Sequence, residues 1–134
     1  MAFVHDQPVL FRHCDPAGIV FFPRLFEMVN DCTEAFFAQI GHPFEAIHPA
    51  RAVPTAQIEA RFAEPSRHGD RLTFRLEVTR IGGSSLGLAH EARAGEALRL
   101  AARSTLVHVG ADGRPRPWPE DLRAAFAPHL RSTP

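Results

Sequence analysis

Phe11-Arg12-His13-Cys14-Asp15-Pro16-Ala17-Gly18-Ile19-Val20-Phe21-Phe22-Pro23 is the stretch from which the architecture is read. An Asp-Pro-x-Gly run is first of all a turn. Asp caps it, Pro presets φ at the second position, and Gly suits the fourth position of a type I turn. Ile19 to Phe22 is then fully apolar, and Pro23 opens a helix whose first N–H groups have no intrahelical acceptor. One carboxylate, Asp15, therefore stands between an apolar segment and the positive end of a helix. A carboxylate, an apolar wall and a helix N-terminus together have the means to attack and polarise a carbonyl group.

Outward from this run, Val9 to His13 reads as a short first strand, and Pro23 to Ile40 as one long helix of about 27 Å. Leu25, Met28, Val29, Cys32, Phe36 and Ile40 recur at helical spacing, widened by Phe26 and Phe37. Arg24, Glu27, Asp31 and Glu34 mark the wet side. Gly41 suits the helix end and Pro43 blocks continuation. A helix with so wide an apolar face lies against a sheet.

The strands follow. Ile58, Ala60 and Phe62 alternate with polar neighbours. Leu72, Phe74, Leu76 and Val78 alternate with Thr73, Arg75, Glu77 and Thr79. Gly82-Gly83 marks a turn, after which Leu86, Leu88, His90 and Ala92 continue the alternation to a second turn at Gly95-Glu96. Leu98 to Val109 reads as a long strand, Gly110 to Pro119 as loop, and Glu120 to Leu130 as a short terminal helix. The order is strand, long helix, then four strands joined by short turns. That is an α+β arrangement, one antiparallel sheet of about five strands wrapped around a long central helix. Its edge strands are left unmanaged, and pairing with a second copy resolves them.

Composition narrows the function classes. The chain has 134 residues and zero formal net charge, with 45% hydrophobic and 22% charged residues, so residues 1–134 read as a single globular domain. The charge balance excludes a general nucleic-acid or anionic-membrane binder. No apolar run approaches the roughly 20 residues of a membrane span. Met1 to Asp6 lacks the basic and apolar regions of a signal peptide, and two cysteines make no disulfide framework, so a cytoplasmic protein is expected. All basic residues are Arg, and Tyr is absent. The eight His show no metal-ligand spacing, and no metal site is expected.

The run Cys14-Asp15-Pro16-Ala17-Gly18-Ile19-Val20-Phe21-Phe22-Pro23-Arg24, with the helix behind it, closely resembles the hotdog-fold acyl-CoA thioesterases of the 4-hydroxybenzoyl-CoA thioesterase type. The specific likeness spans about Leu10 to Gly41. Beyond it, strand count, turn placement and length agree. The resemblance implies hydrolysis of an aryl or short-to-medium acyl-CoA to the free acid and coenzyme A. Coenzyme A is then part of the substrate, and no cofactor is needed. It implies that Asp15 is the catalytic carboxylate, as nucleophile or as general base toward water, and that the backbone amide of Phe22 donates to the thioester carbonyl. A fixed amide at a helix start suits the charge that develops there. Family members often carry an aromatic hydroxyl nearby, and a chain without Tyr departs from that pattern. The resemblance also implies homodimers assembling into a homotetramer, with the nucleotide near a subunit boundary.

The remaining candidates are binding residues: His13 and Gly18 beside Asp15, Ser84 and Ser85 in the turn after Ile81, and Arg114 and Arg116, whose guanidinium groups suit the phosphates of coenzyme A. Arg80 and Arg93, beside strand ends, are further phosphate candidates. Gly83-Ser84-Ser85-Leu86-Gly87 matches the G-x-S-x-G pattern, but a serine-hydrolase elbow needs a strand-to-helix turn in a larger parallel sheet. Cys14 and His13 make a poor nucleophilic pair, because neighbouring strand residues face opposite ways. Cys32 belongs to the core. Two alternative functions stand beside hydrolysis. A hotdog dehydratase or hydratase would need a His-Phe-Pro-Gly type run, which His42-Pro43-Phe44-Glu45 does not supply. A non-catalytic acyl-CoA-binding protein would have no use for the aspartate.

Overall fold

The computed structural model describes residues 1–132. Helix α1 runs Phe22–Gln39, within a residue of the boundaries expected from the apolar periodicity. Its N-cap, Phe21, is extended, Pro23 stands in the first turn, and the chain leaves through Gly41 at φ +91°, where a side chain would be strained. Met28, Cys32, Phe36 and Phe37 are wholly buried on its inner face. Each large apolar side chain so removed from water contributes roughly 1.5–3 kcal/mol.

That face lies on a five-stranded antiparallel sheet of order β1-β4-β5-β6-β3, with β1 at Phe3–Pro8, β3 at Thr55–Phe62, β4 at Arg71–Ile81, β5 at Ser85–Ala94 and β6 at Ala97–Val107. Leu72, Phe74, Leu76 and Val78 of β4 point into the core, as do Leu86, Leu88, His90 and Ala92 of β5. Register confirms the shared face, with Phe74 opposite Ala92 and Leu76 opposite His90. Four short elements complete the fold. Helix α2 at Phe44–Ile47 precedes β2 at Arg51–Ala52, which pairs with β7 at Val109–Gly110. Helix α3 at Glu120–Phe126 buries Leu122 and Phe126, whereas Leu130 lies beyond it and is exposed.

Two expectations are corrected. Val9 to His13 is not the first strand. That strand is Phe3–Pro8, and Phe11–His13 forms a 3-10 turn. Leu10 and Phe11, whose apolarity suggested a strand, are exposed. The segment 110–119 is not wholly loop, since Val109–Gly110 pairs with Arg51–Ala52.

β3 sits at a sheet edge with both faces open. Ile58 and Phe62, on the side that faces the helix layer elsewhere in the sheet, are 39% and 45% exposed. The apolar surface there continues past the edge of the protomer.

A polar pair lies beneath the helix. The Thr33 hydroxyl donates to the Val29 carbonyl at 2.9 Å, which leaves its oxygen to accept from His90 Nε2 at 3.0 Å. Nδ1 of the same ring is buried without a partner. Burial pushes the His90 pKa down to about 4, from the ordinary 6.5. The folded state therefore refuses a proton that the unfolded chain accepts below pH 6.5. Stability present above that pH is lost as the pH falls toward 4, by on the order of 3 kcal/mol. Urea unfolding at stepped pH values should show this loss in the wild-type protein, and a His90→Leu variant should show a correspondingly shallower decline. Equal slopes in the two proteins would exclude His90 as the source.

Candidate active site

The Asp15 run folds into a small hairpin. The Gly18 N–H donates to the Asp15 carbonyl at 2.9 Å, closing the four-residue turn. The Asp15 Oδ1 accepts the Ala17 N–H at 2.9 Å, an Asx turn that fixes the side chain. Gly18 then takes φ +83°, which other residues rarely adopt. The legs are joined by Asp15 N–H to Ile19 O and Phe21 N–H to His13 O, both at 3.0 Å. Helix α1 begins at the next residue.

Asp15 is half-buried at the hairpin tip. Its Oδ2 takes no hydrogen bond within the described residues. The start of α1 has no side-chain cap. The Arg24 N–H turns back to the Phe21 carbonyl at 2.8 Å, whereas the Phe22 N–H has no acceptor among the described residues. A carboxylate oxygen and a backbone donor at the positive end of a helix thus both remain available next to one short hairpin.

His13 is 3% exposed, and its Nδ1 accepts the Leu10 N–H at 2.8 Å. Burial first, then the neighbouring Arg12 charge, lowers its pKa. The neutral ring with an unprotonated Nδ1 is the form this bond requires. His13 thereby braces the base of the hairpin. Cys14 adds a weak Sγ contact to the Leu10 carbonyl at 3.8 Å. Cys32 is fully buried, and burial pushes its thiol up to about 12, so it is inert core.

An aromatic cluster borders the helix start. Phe22 meets Phe21, Phe26 and Phe62 edge-on, with ring centroids 5.6, 6.5 and 6.1 Å apart, and Phe26 meets Phe62 at 5.9 Å. Phe21 and Phe22 are about half exposed, at 49% and 55%. This is apolar surface in the form of ring edges, immediately beside a free N–H.

The structure places Asp15, Gly18 and His13 on one short hairpin, with the Phe22 amide at its exit. It places the other candidates elsewhere. Ser84 precedes β5 and Ser85 begins it; the Ser84 carbonyl accepts the His108 N–H at 2.7 Å and the Ser85 hydroxyl accepts from Arg80 at 3.0 Å. Arg116 pairs with Asp112 at 3.0 Å in the same region, and Arg114 is exposed beside it. Ser85 is registered with Val107 near the end of β6, whereas Phe62, next to the hairpin, is registered with Leu100. That length of strand spans roughly 23 Å at about 3.3 Å per residue. Within one protomer, Ser84, Ser85, Arg114 and Arg116 are thus at the opposite end of the sheet from Asp15. Arg93 is occupied by Glu91 and the Glu96 carbonyl, at 3.5 and 3.0 Å. Among the described residues, no three His, Cys, Asp or Glu side chains are grouped to hold a metal ion.

Several residues that build the site escaped the sequence reading: Ser66, Asp70, Arg99 and the ring of Phe62. Ser66 accepts the Val20 N–H at 2.8 Å through its carbonyl, a contact without local sequence signal because the partners are far apart in the chain.

Comparison with known proteins places the chain in a family. Residues 9–126 match the family model described as thioesterase-like superfamily. A 1,4-dihydroxy-2-naphthoyl-CoA hydrolase of Microcystis aeruginosa is 26% identical, over 89% of this chain and 88% of its own. The crystal structure of a 1,4-dihydroxy-2-naphthoyl-CoA thioesterase from Synechocystis superposes with a TM-score of 0.88, covering 95% of this chain and 96% of that one at 21% identity. A thioesterase-superfamily structure from Jannaschia sp. CCS1 gives a TM-score of 0.91 at 25% identity, covering 98% of this chain and 94% of that one. With the model match spanning nearly the whole chain and the helix-on-sheet architecture shared throughout, the chain belongs to the thioesterase-like superfamily and is a thioesterase.

Proposed function

We propose that this chain hydrolyses acyl-CoA thioesters with Asp15 as the catalytic carboxylate and the Phe22 amide as the carbonyl donor. The observation that carries the proposal is the 13–21 hairpin, which joins the Asp15 turn directly to an uncapped helix start whose first N–H is free. In the reaction the thioester carbonyl lies against the Phe22 N–H. Asp15 either attacks the carbonyl carbon or takes a proton from the water that does. Negative charge grows on the carbonyl oxygen, and the fixed amide with the helix dipole behind it stabilises that charge without reorganising. The C–S bond breaks, coenzyme A leaves as the thiol once protonated, and water supplies the hydroxyl of the released acid. No cofactor enters, since coenzyme A belongs to the substrate.

An aromatic acyl group is the preferred cargo. The exposed ring edges of Phe21, Phe22 and Phe62 offer a surface for a planar ring beside the donor. The names of the relatives, which are hydrolases of a naphthoyl-CoA, support the same choice.

The active unit is a homodimer paired antiparallel through β3. The exposed edge and the open apolar side of that strand support this. A two-fold axis across the edge reverses strand direction. It therefore sets the Ser84, Ser85, Arg114 and Arg116 end of the second copy beside the first copy's Asp15. In this arrangement Arg114 and Arg116 of the partner subunit face the coenzyme A phosphates, and the dimers assemble further into a homotetramer. The enzyme acts in the cytoplasm, a reading that its two unpaired thiols support.

Two variants test the chemistry. Asn at position 15 keeps the oxygen that accepts the Ala17 N–H but removes the charge. A free-thiol assay over aryl, short-chain and long-chain acyl-CoA esters should find turnover by Asp15→Asn reduced roughly 100-fold or more, with an unchanged melting temperature. Near-wild-type turnover would sink the catalytic role, and no thiol release even from the wild-type protein would leave an acyl-CoA-binding function instead. For the donor, Phe22→Pro deletes the N–H at a position where helices accept proline, behind a residue already extended at ψ 127°. Its kcat should fall about 100-fold below that of Phe22→Leu, which loses only the ring. Equal kcat values in the two variants would show that the amide donates nothing.

A further inference from the structure

The hairpin that holds Asp15 and leads to Phe22 is gripped from outside by the segment 64–70. On the near side, the Val9 N–H donates to the Asp70 carbonyl at 2.8 Å, and the Gly69 N–H donates to Val9 at 3.0 Å. On the far side, the Val20 N–H donates to the Ser66 carbonyl at 2.8 Å. The chain leading into the hairpin, at Val9, and the hairpin's second leg, at Val20, therefore both take their positions from one short stretch of chain. That stretch has no regular secondary structure of its own, so something else must set its shape.

Arg99 does so. It lies near the start of β6, and its side chain is 15% exposed. One guanidinium nitrogen, Nη1, shares its two hydrogens among the Pro65 carbonyl at 3.1 Å, the Ser66 hydroxyl at 3.1 Å and the Asp70 Oδ2 at 2.8 Å. Asp70 Oδ2 also accepts the Arg67 N–H at 2.9 Å. The ion pair and this second bond hold the Asp70 carboxyl below its ordinary range. The Arg99 carbonyl accepts the Ala63 N–H at 2.9 Å, which fixes where the segment leaves β3. Nε of the same guanidinium is buried and stands 4.0 Å from Glu64, too far for a hydrogen bond. The grip is concentrated in one nitrogen reaching both halves of the segment. Ser66, the point of attachment for Val20, is itself 3% exposed.

We propose that Arg99 is a positioning residue for thioester hydrolysis, setting the Asp15 carboxylate and the Phe22 amide relative to each other through Ser66, Asp70 and their bonds to Val20 and Val9. The proposal rests on the reading of Asp15 and Phe22 given above. Arg99 touches neither of them. Its effect is geometric: a displacement of the 64–70 segment moves Val9 and Val20 together, and with them the hairpin tip. Errors of about 1 Å in such a constellation cost about 100-fold in rate. Binding of coenzyme A, which draws on other surfaces, is left largely intact.

Arg99→Met keeps the apolar stem and removes the donors. Arg99→Lys keeps the charge and three donors but on a stem one atom shorter, so it reaches Pro65, Ser66 and Asp70 only in part. The expected result is a kcat about 10- to 100-fold lower for Arg99→Met, with KM for an aryl-CoA within about twofold, and partial recovery in Arg99→Lys. Asp70→Asn in the Arg99→Met background should add little, because the two act through one contact. Amide hydrogen exchange on the same proteins is read in parallel. In Arg99→Met the Val9, Gly18 and Val20 amides should exchange at least about tenfold faster, while the β5 amides hold their wild-type protection. A uniform rise across the chain would make Arg99 an ordinary stability residue and overturn the proposal. So would unchanged exchange at those three amides, or a kcat within twofold of wild type. If the wild-type protein hydrolyses nothing, the hydrolysis reading fails by itself, and exchange still decides whether Arg99 sets the hairpin.

Discussion

The Phe21 N–H donating to the His13 carbonyl is the contact on which the site depends. It ties the leg of the hairpin that enters the Asp15 turn to the leg that becomes α1. Such a bond contributes only about 1 kcal/mol net to stability. Its geometric consequence is larger. A turn at one end of the hairpin and a helix start at the other become a single body, so the carboxylate and the free amide cannot drift independently. The long apolar face of α1 then fixes that body on the sheet through Met28, Cys32, Phe36 and Phe37. The order of dependence runs from core to helix to hairpin to site.

Much of this was legible locally, and what was not has a common cause. The helix showed itself because its apolar residues repeat at helical spacing and because Pro23 and Gly41 punctuate it. β4 showed itself because Leu72, Phe74, Leu76 and Val78 alternate without interruption. The Asp15 turn was legible because Asp, Pro and Gly each suit one position of it. The first strand was misplaced for an equally local reason. Val9, Leu10 and Phe11 look like a strand, but only Val9 is buried. The true strand, Phe3–Pro8, is an edge element with His5 and Gln7 among its residues and so lacks apolar contrast. Ser66, Asp70 and Arg99 are ordinary polar residues in the sequence. Their importance lies in bonds between segments about thirty residues apart, which no periodicity encodes.

The separation of candidates along the sheet has the same origin. Sequence order places Ser84, Arg114 and Asp15 in different segments and says nothing about which ends of the strands adjoin. Antiparallel register decides it, and puts Asp15 with the Phe62 end of β3 and the serines and arginines with the other. The open β3 edge lies between the Asp15 end of the sheet and the end that holds the serines and arginines. Under the dimer proposed above, the reversal of direction across the β3 edge sets one end of each copy beside the other end of its partner, and the apolar exposure of Ile58 and Phe62 is then relieved in the same step.

The double use of single groups explains how so small a hairpin holds its shape beside solvent. Asp15 uses one oxygen to accept the Ala17 amide, and that bond restrains its side chain while the other oxygen makes no hydrogen bond within the described residues. Under the catalytic role proposed for Asp15, turn-capping and chemistry do not compete, since the first orients the second. His13 follows the same logic one step further in. Its Nδ1 serves as an acceptor for Leu10 only while the ring is neutral, and a protonated ring would set two donors against each other. Burial together with the Arg12 charge keeps the ring neutral by lowering its pKa. The electrostatic cost of burying a histidine beneath the turn is thus also what preserves the hydrogen bond that holds the turn in place.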